Sequence, residues 1–421
     1  MKVAVTIVGA GVVGAATAYV LAKAGHRVTL LEALDAPARA TSFANGAQLS
    51  YSYVEPLATP ATLLKLPSLL LDRDSPLRLK LTGEWSQLAW LGRFLFSCTG
   101  QRVRRSTRAL LALASMSRSE LETACAVDSL QFDHATVGKL VIYSSRRGLN
   151  AARKQIDFQR SLGCEQKILS TEECIEREPA LRQYRSHMAG GVWTASEAVG
   201  DAHRLSCELV ARVLAMGGEA HYLTRVAGFR RKLGGEVTAL TTERGDELAV
   251  PGKLVLANGA AAATLAAALG MRLPICPIKG YSVTLPVTDA SRAPAISITD
   301  LRRKTVYAPL PGHLRVAGMA ELVGHDLRID PKRIAQLVDC ARETFPGACD
   351  FDADPAAWVG LRPATPTSLP IIGATPLPNV LLNVGHGALG FTLAMGSARL
   401  LERALAGRDE QPLSASFAYA V

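Results

Sequence analysis

At 421 residues, with 48% apolar and 20% charged positions, the chain is long enough for two or three ordinary globular domains and too apolar for intrinsic disorder. A net charge of +10 favours anionic surfaces or substrates, but no aromatic-and-basic recognition module accompanies it, which argues against a nucleic-acid partner. The eight cysteines form no C-x-x-C pair and no metal-ligand spacing with histidine, so no metal is expected. With no leader ahead of the first strand, they are expected to be reduced thiols of a cytoplasmic protein. No apolar run reaches the roughly 18 residues that a membrane span requires.

The most informative stretch is the first, VTIVGAGVVGAATAYVLAKAGHRVTLLE over residues 5–32. Val5 to Val8 suits a buried parallel strand, and Gly9, Gly11 and Gly14 follow in the spacing G-x-G-x-x-G, with Ala10, Val12 and Val13 between them. A helical pattern carrying Ala18, Leu21 and Ala22 on one face closes at Gly25, and a second strand ends on Glu32. In such a unit Gly9 permits the tight turn, and Gly11 lets a pyrophosphate approach the backbone. Gly14 lets the helix pack on the strands, and the helix N-terminus offers N–H groups to phosphate. Glu32, 18 residues beyond Gly14, is placed to accept from ribose hydroxyls. These features predict an adenine dinucleotide site and leave NAD and FAD both open.

Residues 33–50 read as a polar loop, and the Pro- and Leu-rich segment 57–96 as a lid, a membrane patch or core. A helix is expected over 101–127, whose Arg102, Arg104, Arg105 and Arg108 form either a solvated face or a membrane-surface patch. A strand at 138–144 and a helix at 148–163 follow. Asp201 is an N-cap candidate for a helix that stops at Gly217 and Gly218. Short strands are expected at 219–231, 236–242 and 247–250, then a strand into the turn Ala257-Asn258-Gly259. Residues 278–318 alternate as antiparallel strands, a helix covers 331–345, and the chain closes with a strand at 379–387 and a helix from Leu389 to Ala406.

Four segments carry a resemblance: the opening unit, TSFANGAQLSYSYVEPLA, PIKGYSVTLP, and GLRPATPTSLPIIG followed by NVLLNVGHGALGFTLAMGSARLL. On these the chain resembles, over essentially its whole length, the glycine oxidase and D-amino-acid oxidase superfamily of flavoproteins. Within it the chain is similar to the small, FAD-containing subunits of bacterial D-amino-acid dehydrogenases. One departure is local: Gly46-Ala47-Gln48 stands where the family often has Ala-Gly-Gln. The resemblance implies an α/β, two-domain protein, a Rossmann-like FAD-binding domain with an inserted, largely antiparallel substrate-binding domain. The expected boundaries are 1–85, 145–270 and 355–421 for the FAD domain, and 86–144 and 271–354 for the substrate domain.

The resemblance also implies FAD as cofactor, held by Gly9, Ala10, Gly11, Val12, Val13, Gly14 and Glu32, and by Ala40, Thr41, Ser42, Asn45, Gly46, Gln48 and Leu49 of the following loop. Val226 and the turn Ala257, Asn258 and Gly259 would meet the adenosine half. Gly385, His386, Gly387, Ala388, Leu389 and Gly390 would aim a helix N-terminus at the flavin, where a positive dipole favours its anionic reduced form. Arg362 in GLRP is the expected anchor for a substrate carboxylate, since a guanidinium fork matches it bidentately. Tyr307, Tyr281 and His386 are further catalytic candidates; Tyr53 and His203 are weaker ones. The implied reaction is oxidative deamination of an amino acid, with electrons passed to a quinone or another non-oxygen acceptor. A secondary amine such as D-proline, hydroxyproline or an opine is the alternative substrate. Peripheral contact with the inner face of the cytoplasmic membrane and partner subunits of a multi-component dehydrogenase are the open partner expectations.

Overall fold

The computed structural model describes residues 2–54, 56–60, 62–63, 76–80, 84–408 and 413–419. Two sheets organise them. The first has six strands in the order 371–374, 380–384, 253–256, 4–8, 27–31, 219–221. Its centre is Ala4–Val8, parallel to both Lys253–Leu256 and Arg27–Leu31, and Val380–Val384 extends the parallel array. These strands are apolar on both faces because both are covered. Val5 and Ile7 face a core shared with Val12–Lys23, Ala202–Ala215, Gly100–Asp128 and Gly390–Leu405. Val8, Leu254 and Leu256 face a second core under Ala262–Ala268 and the small sheet of Val226–Arg231, Val237–Thr242 and Glu247–Ala249. Sandwiched in this way, Val12–Lys23 is buried on nearly every side. The predicted cap at Asp201 is present: its carboxylate accepts from the Arg204 N–H at 2.9 Å.

The second sheet has nine strands. Eight run in the order 356–364, 276–286, 313–322, 305–310, 297–300, 139–143, 190–194, 167–169, and Leu77–Leu79 pairs with His313–Leu322. Pairing is antiparallel except for the latter contact and for Ser297–Asp300 beside Lys139–Tyr143. Successive side chains of a strand point to opposite faces. In Cys276–Pro286, Tyr281 and Val283 turn toward the helix Pro331–Thr344 and its core, while Gly280 and Ser282 turn toward the loop at 41–50.

The sheet memberships move the expected domain boundaries. Residues 145–194, expected with the FAD domain, supply the strands Lys167–Leu169 and Gly190–Thr194 to the nine-stranded sheet. Ala356–Ala364 likewise pairs with Cys276–Pro286. Gly100–Asp128, expected with the substrate domain, instead packs on Gly390–Leu405: a Cβ added to Gly396 would lie 2.6 Å from the Leu113 carbonyl oxygen. Apolar periodicity reveals a helix or strand but not which sheet it joins. Helix Thr171–Arg177 had a legible signal that the reading passed over, a Ser170/Glu173 capping box.

Beneath Pro331–Thr344 lies a buried ion pair, Arg333 Nε to Glu321 Oε1 at 2.8 Å, with the Tyr281 hydroxyl donating to Glu321 Oε2 at 3.1 Å. Replacing Arg333 by Met leaves a buried carboxylate without its cation, which costs about 3–5 kcal/mol. Urea unfolding of R333M should register that loss, and the double variant E321L/R333M should recover most of it.

Candidate active site

The glycine loop is built for close approach. Gly9 has φ +102°, and a Cβ there would lie 2.7 Å from Asn258 Cα and 2.9 Å from the Ala257 carbonyl oxygen. Gly14 faces the Gly9 carbonyl oxygen, where a Cβ would collide with it. Gly11 is different: the nearest neighbour of its missing Cβ is Ser42 Oγ at 3.5 Å, an ordinary contact distance, so the described protein atoms themselves do not demand a glycine there. Ser42 Oγ accepts from the Val12 N–H at 3.1 Å, which ties the loop at 41–50 to the start of helix Val12–Lys23. Glu32 is held beside the same loop, its carboxylate accepting from the N–H groups of Ala10 at 2.7 Å and Leu34 at 3.0 Å. The Thr224 N–H donates to the Glu32 main-chain carbonyl at 2.8 Å, and buried Val226, two residues on, packs in the same core as Val8 and Leu31.

From there the chain crosses the second sheet. The Thr41 hydroxyl donates to the Leu361 carbonyl at 2.9 Å. Ser282 donates to the Ala44 carbonyl at 2.5 Å, and Arg315 to the Asn45 carbonyl at 3.1 Å. The Gln48 amide donates to Ser297 Oγ at 2.7 Å and to the Ile298 carbonyl at 3.3 Å. The Gly46-Ala47 order has a visible consequence. A Cβ on Gly46 would approach Val306 Cγ2 to 3.2 Å, and Ala47 takes φ +53°, a conformation that suits glycine better. Leu49 is fully buried and pairs with Ala198, whereas Ala40 stays exposed.

Sequence reasoning missed the pair that pins the next turn of chain. Buried Lys139 donates to Ser50 Oγ at 2.9 Å, and burial pushes its pKa down to about 8. Buried Glu197 accepts from the N–H groups of Ser52 at 2.7 Å and Tyr53 at 3.2 Å; burial raises its pKa, opposed first by Lys139. Neither residue lies in a motif, so only the fold could bring them together.

Arg362 stands on Ala356–Ala364, the edge strand nearest this loop. Its Nη1 donates to the Met319 carbonyl at 2.7 Å, and Met319 takes φ +64°. Burial lowers its pKa, with no charged group opposing the shift. Among the described residues this partly accessible guanidinium has no counter-ion, the kind of position at which an anionic ligand is favoured. Two residues on, Ala364 forms an antiparallel bridge with His386, which sets Gly385, His386 and Gly387 against the end of the Arg362 strand. His386 is buried, its Nε2 has no hydrogen-bond partner among the described residues, and desolvation pushes its pKa down to about 3, so the ring is neutral. Gly387 to Gly390, with Ala388 exposed, form the open lead-in to helix Gly390–Leu405.

Two catalytic candidates are corrected. Tyr307 is fully buried, with its hydroxyl against Cys340 O at 3.2 Å and Thr344 Oγ1 at 3.1 Å. Tyr281 bonds Glu321. Both point into the core under Pro331–Thr344, on the opposite face of the sheet from Arg362, because pleating sends alternate residues to opposite sides. His203 packs edge-on against Phe43, and Tyr53 lies against Lys139.

The sequence profile of the DAO family, FAD-dependent oxidoreductases, matches residues 4–404. The chain belongs to this family. It is 45% identical to D-amino acid dehydrogenase 2 of Ralstonia nicotianae over 99% of both chains. It is 39% identical to a D-amino acid dehydrogenase of Dechloromonas aromatica, over 97% of this chain and 98% of the other. The fold is similar to glycine oxidase from Bacillus cereus, with TM-score 0.74, 19% identity and coverage of 100% and 99%. It is also similar to L-proline dehydrogenase from P. horikoshii, with TM-score 0.73, 16% identity and coverage of 98% and 96%.

FAD is the cofactor of this oxidoreductase, and the residues present fit it. Gly11, where the described protein atoms leave room for a Cβ, the fixed Glu32 carboxylate, and the buried Asn258 Oδ1 and His386 Nε2, which have no hydrogen-bond partner among the described residues, provide polar groups for such a ligand. The depressed His386 pKa makes stability depend on pH. Between about 3 and the usual 6.5 the unfolded chain holds a proton on this ring that the folded protein refuses, so stability rises with pH across that window. Thermal melts from pH 4 to pH 7 should therefore slope less steeply for His386→Asn than for the parent enzyme.

Proposed function

We propose that the enzyme oxidises D-amino acids to 2-oxo acids and ammonia and passes the electrons to a quinone or another acceptor that is not oxygen. The observation that carries this reading is Arg362, a guanidinium with a backbone carbonyl and, among the described residues, no carboxylate beside it. Its strand ends at the bridge to His386, at the lead-in to helix Gly390–Leu405, which supports reading it as the carboxylate-binding group beside the flavin end of the cofactor. The names of the Ralstonia and Dechloromonas relatives agree with a D-amino acid as substrate.

The chemistry that FAD supplies when bound is acceptance of a hydride from the substrate Cα. Arg362 fixes the carboxylate and thereby orients Cα. The glycine loop from Gly9 to Gly14, with Glu32 and Ser42, would hold the adenosine and pyrophosphate half. Thr41, Asn45, Gly46 and Gln48 would lie along the middle, with Val226 and Ala257 to Gly259 beside the adenine. His386 would offer Nε2 as a neutral hydrogen-bonding atom. With its pKa pushed to about 3, it is too weak a base to hold a proton at neutral pH, so the amine must arrive deprotonated or lose its proton to water. The imino acid then hydrolyses in water.

Arg362→Ala should lower kcat/KM for D-alanine about a thousandfold, the scale expected on losing a desolvated charged contact, while FAD content stays at parent level. Retained turnover with unchanged KM would sink the anchor assignment. A panel of D- and L-amino acids with D-proline, read with a dye acceptor beside oxygen uptake, tests the substrate class. Preference for D-proline over primary D-amino acids would replace it with the secondary-amine reading.

The acceptor side has a physical candidate. No helix among the described residues is long and apolar enough to cross a membrane. Helix Trp85–Ser97 nonetheless exposes Trp85 at 80% and Phe96 at 74%, immediately before the exposed Arg102, Arg104, Arg105 and Arg108. Its other face packs inward, with buried Trp90 donating to the Ala364 carbonyl at 2.9 Å. The rest of the 57–96 reading falls partly outside the described residues, at 61, 64–75 and 81–83. An apolar rim beside a basic run suits the surface of an anionic bilayer. The enzyme should sediment with anionic liposomes at low salt, and W85S/F96S should not; a parent enzyme that stays in the supernatant rules the patch out.

A further inference from the structure

Gly280 lies in PIKGYSVTLP, one of the segments that mark the family, yet its backbone takes no left-handed conformation and gives no conformational reason for glycine. Space is the reason. A Cβ at this position would lie 2.5 Å from Arg362 Cζ and 2.8 Å from Nη1, and closer still to Nη2. Gly280 pairs across the strands with Gly360, and Arg362 stands two residues beyond Gly360 on the same face. The guanidinium therefore folds back over Gly280 and lies on bare backbone. On the next strand the indole of Trp358 lies over Gly360 in the same manner. The two glycines make a trough one side chain deep, and the anchor rests in one half of it.

We propose that Gly280 is the positioning residue for the carboxylate anchor: its missing side chain, with the Met319 carbonyl that accepts from Nη1, fixes where the Arg362 guanidinium sits and hence where the substrate carboxylate binds. This inference rests on the reading of Arg362 as the anchor. The atoms that an alanine Cβ would strike form the far end of a flexible side chain, so the backbone has no need to move. The side chain that yields is Arg362, which loses its bed and its bond to Met319 O. Misplacement of an orienting group by about 1 Å is enough to cost about a hundredfold in binding or rate.

The test is titration of the FAD-loaded enzyme with benzoate, a carboxylate that cannot be oxidised, followed by the flavin absorbance change. Steady-state KM and kcat for D-alanine are measured beside it. Gly280→Ala should raise the benzoate Kd and the KM about a hundredfold, with melting temperature and flavin content at parent values. In an Arg362→Lys background, whose slender side chain has no fork to displace, the same alanine should add less than about threefold; a glycine with a merely structural role would add its full effect again. Parent-like benzoate binding by G280A, or equal losses in both backgrounds, overturns the inference while leaving the anchor standing. Should Arg362→Ala itself bind benzoate as the parent does, the anchor reading falls and takes this one with it. If G280A fails to fold, the same cycle is run with Met319→Val, whose β-branch disfavours φ +64° and so withdraws the carbonyl. A parent-like benzoate Kd for that variant overturns the Met319 half of the proposal.

Discussion

Everything near the site turns on one guanidinium that the fold leaves short of a partner. A buried cation is costly unless it is paired, and among the described residues Arg333 is paired with Glu321, and Lys139 with Ser50 in the field of Glu197. Among the same residues Arg362 receives only a backbone carbonyl. That unmet demand is what our proposal assigns to a substrate carboxylate. The same strand also carries the Thr41 contact at Leu361, the Trp90 contact at Ala364 and the bridge to His386. Both halves of the molecule thus converge on Ala356–Ala364, so the anchor is fixed relative to the cofactor cradle rather than to its own sheet alone.

Polarity divides the nine-stranded sheet into two roles. The face under Pro331–Thr344 is a sealed core in which Tyr281 and Tyr307 satisfy Glu321, Cys340 and Thr344. The other face is polar and hydrogen-bonded to a single loop of the cofactor domain, through Ser282, Arg315 and Ser297. That loop makes the connection with backbone carbonyls, the Thr41 hydroxyl and one amide side chain. A side chain at Gly46 would press on Val306 and Ala317, which favours a small residue there.

Much of this was legible in the sequence, for local reasons. The glycine fingerprint, Glu32, the Asp201 cap and the final strand and helix are each specified within a few residues, by turn chemistry or by apolar period. Arg362 stood out in the sequence through the resemblance that GLRP helps to carry, and its role as carboxylate anchor is the proposal made above. What failed was long-range. Pleat direction decides whether a tyrosine on a strand faces solvent, cofactor or core, and a one-residue change of register inverts the answer. Tyr281 was therefore no more readable than its neighbours. The Lys139 and Glu197 cluster, the Met319 carbonyl and the partition of 145–194 between sheets depend on strand pairing across wide separations, which apolar period does not encode.

The order of strands in the first sheet has a bearing on how the enzyme matures. The glycine loop is synthesised well before its neighbours at Lys253–Leu256 and then Val380–Val384. The flavin end, His386 and the Gly387 turn, comes with the last of them. A nascent chain thus holds the nucleotide fingerprint long before it holds a pocket. Domains fold as units during synthesis only when their strands are present together. Cofactor capture must therefore wait until Val380–Val384 and the Gly387 turn have been made, so most of the chain is synthesised without a complete cradle.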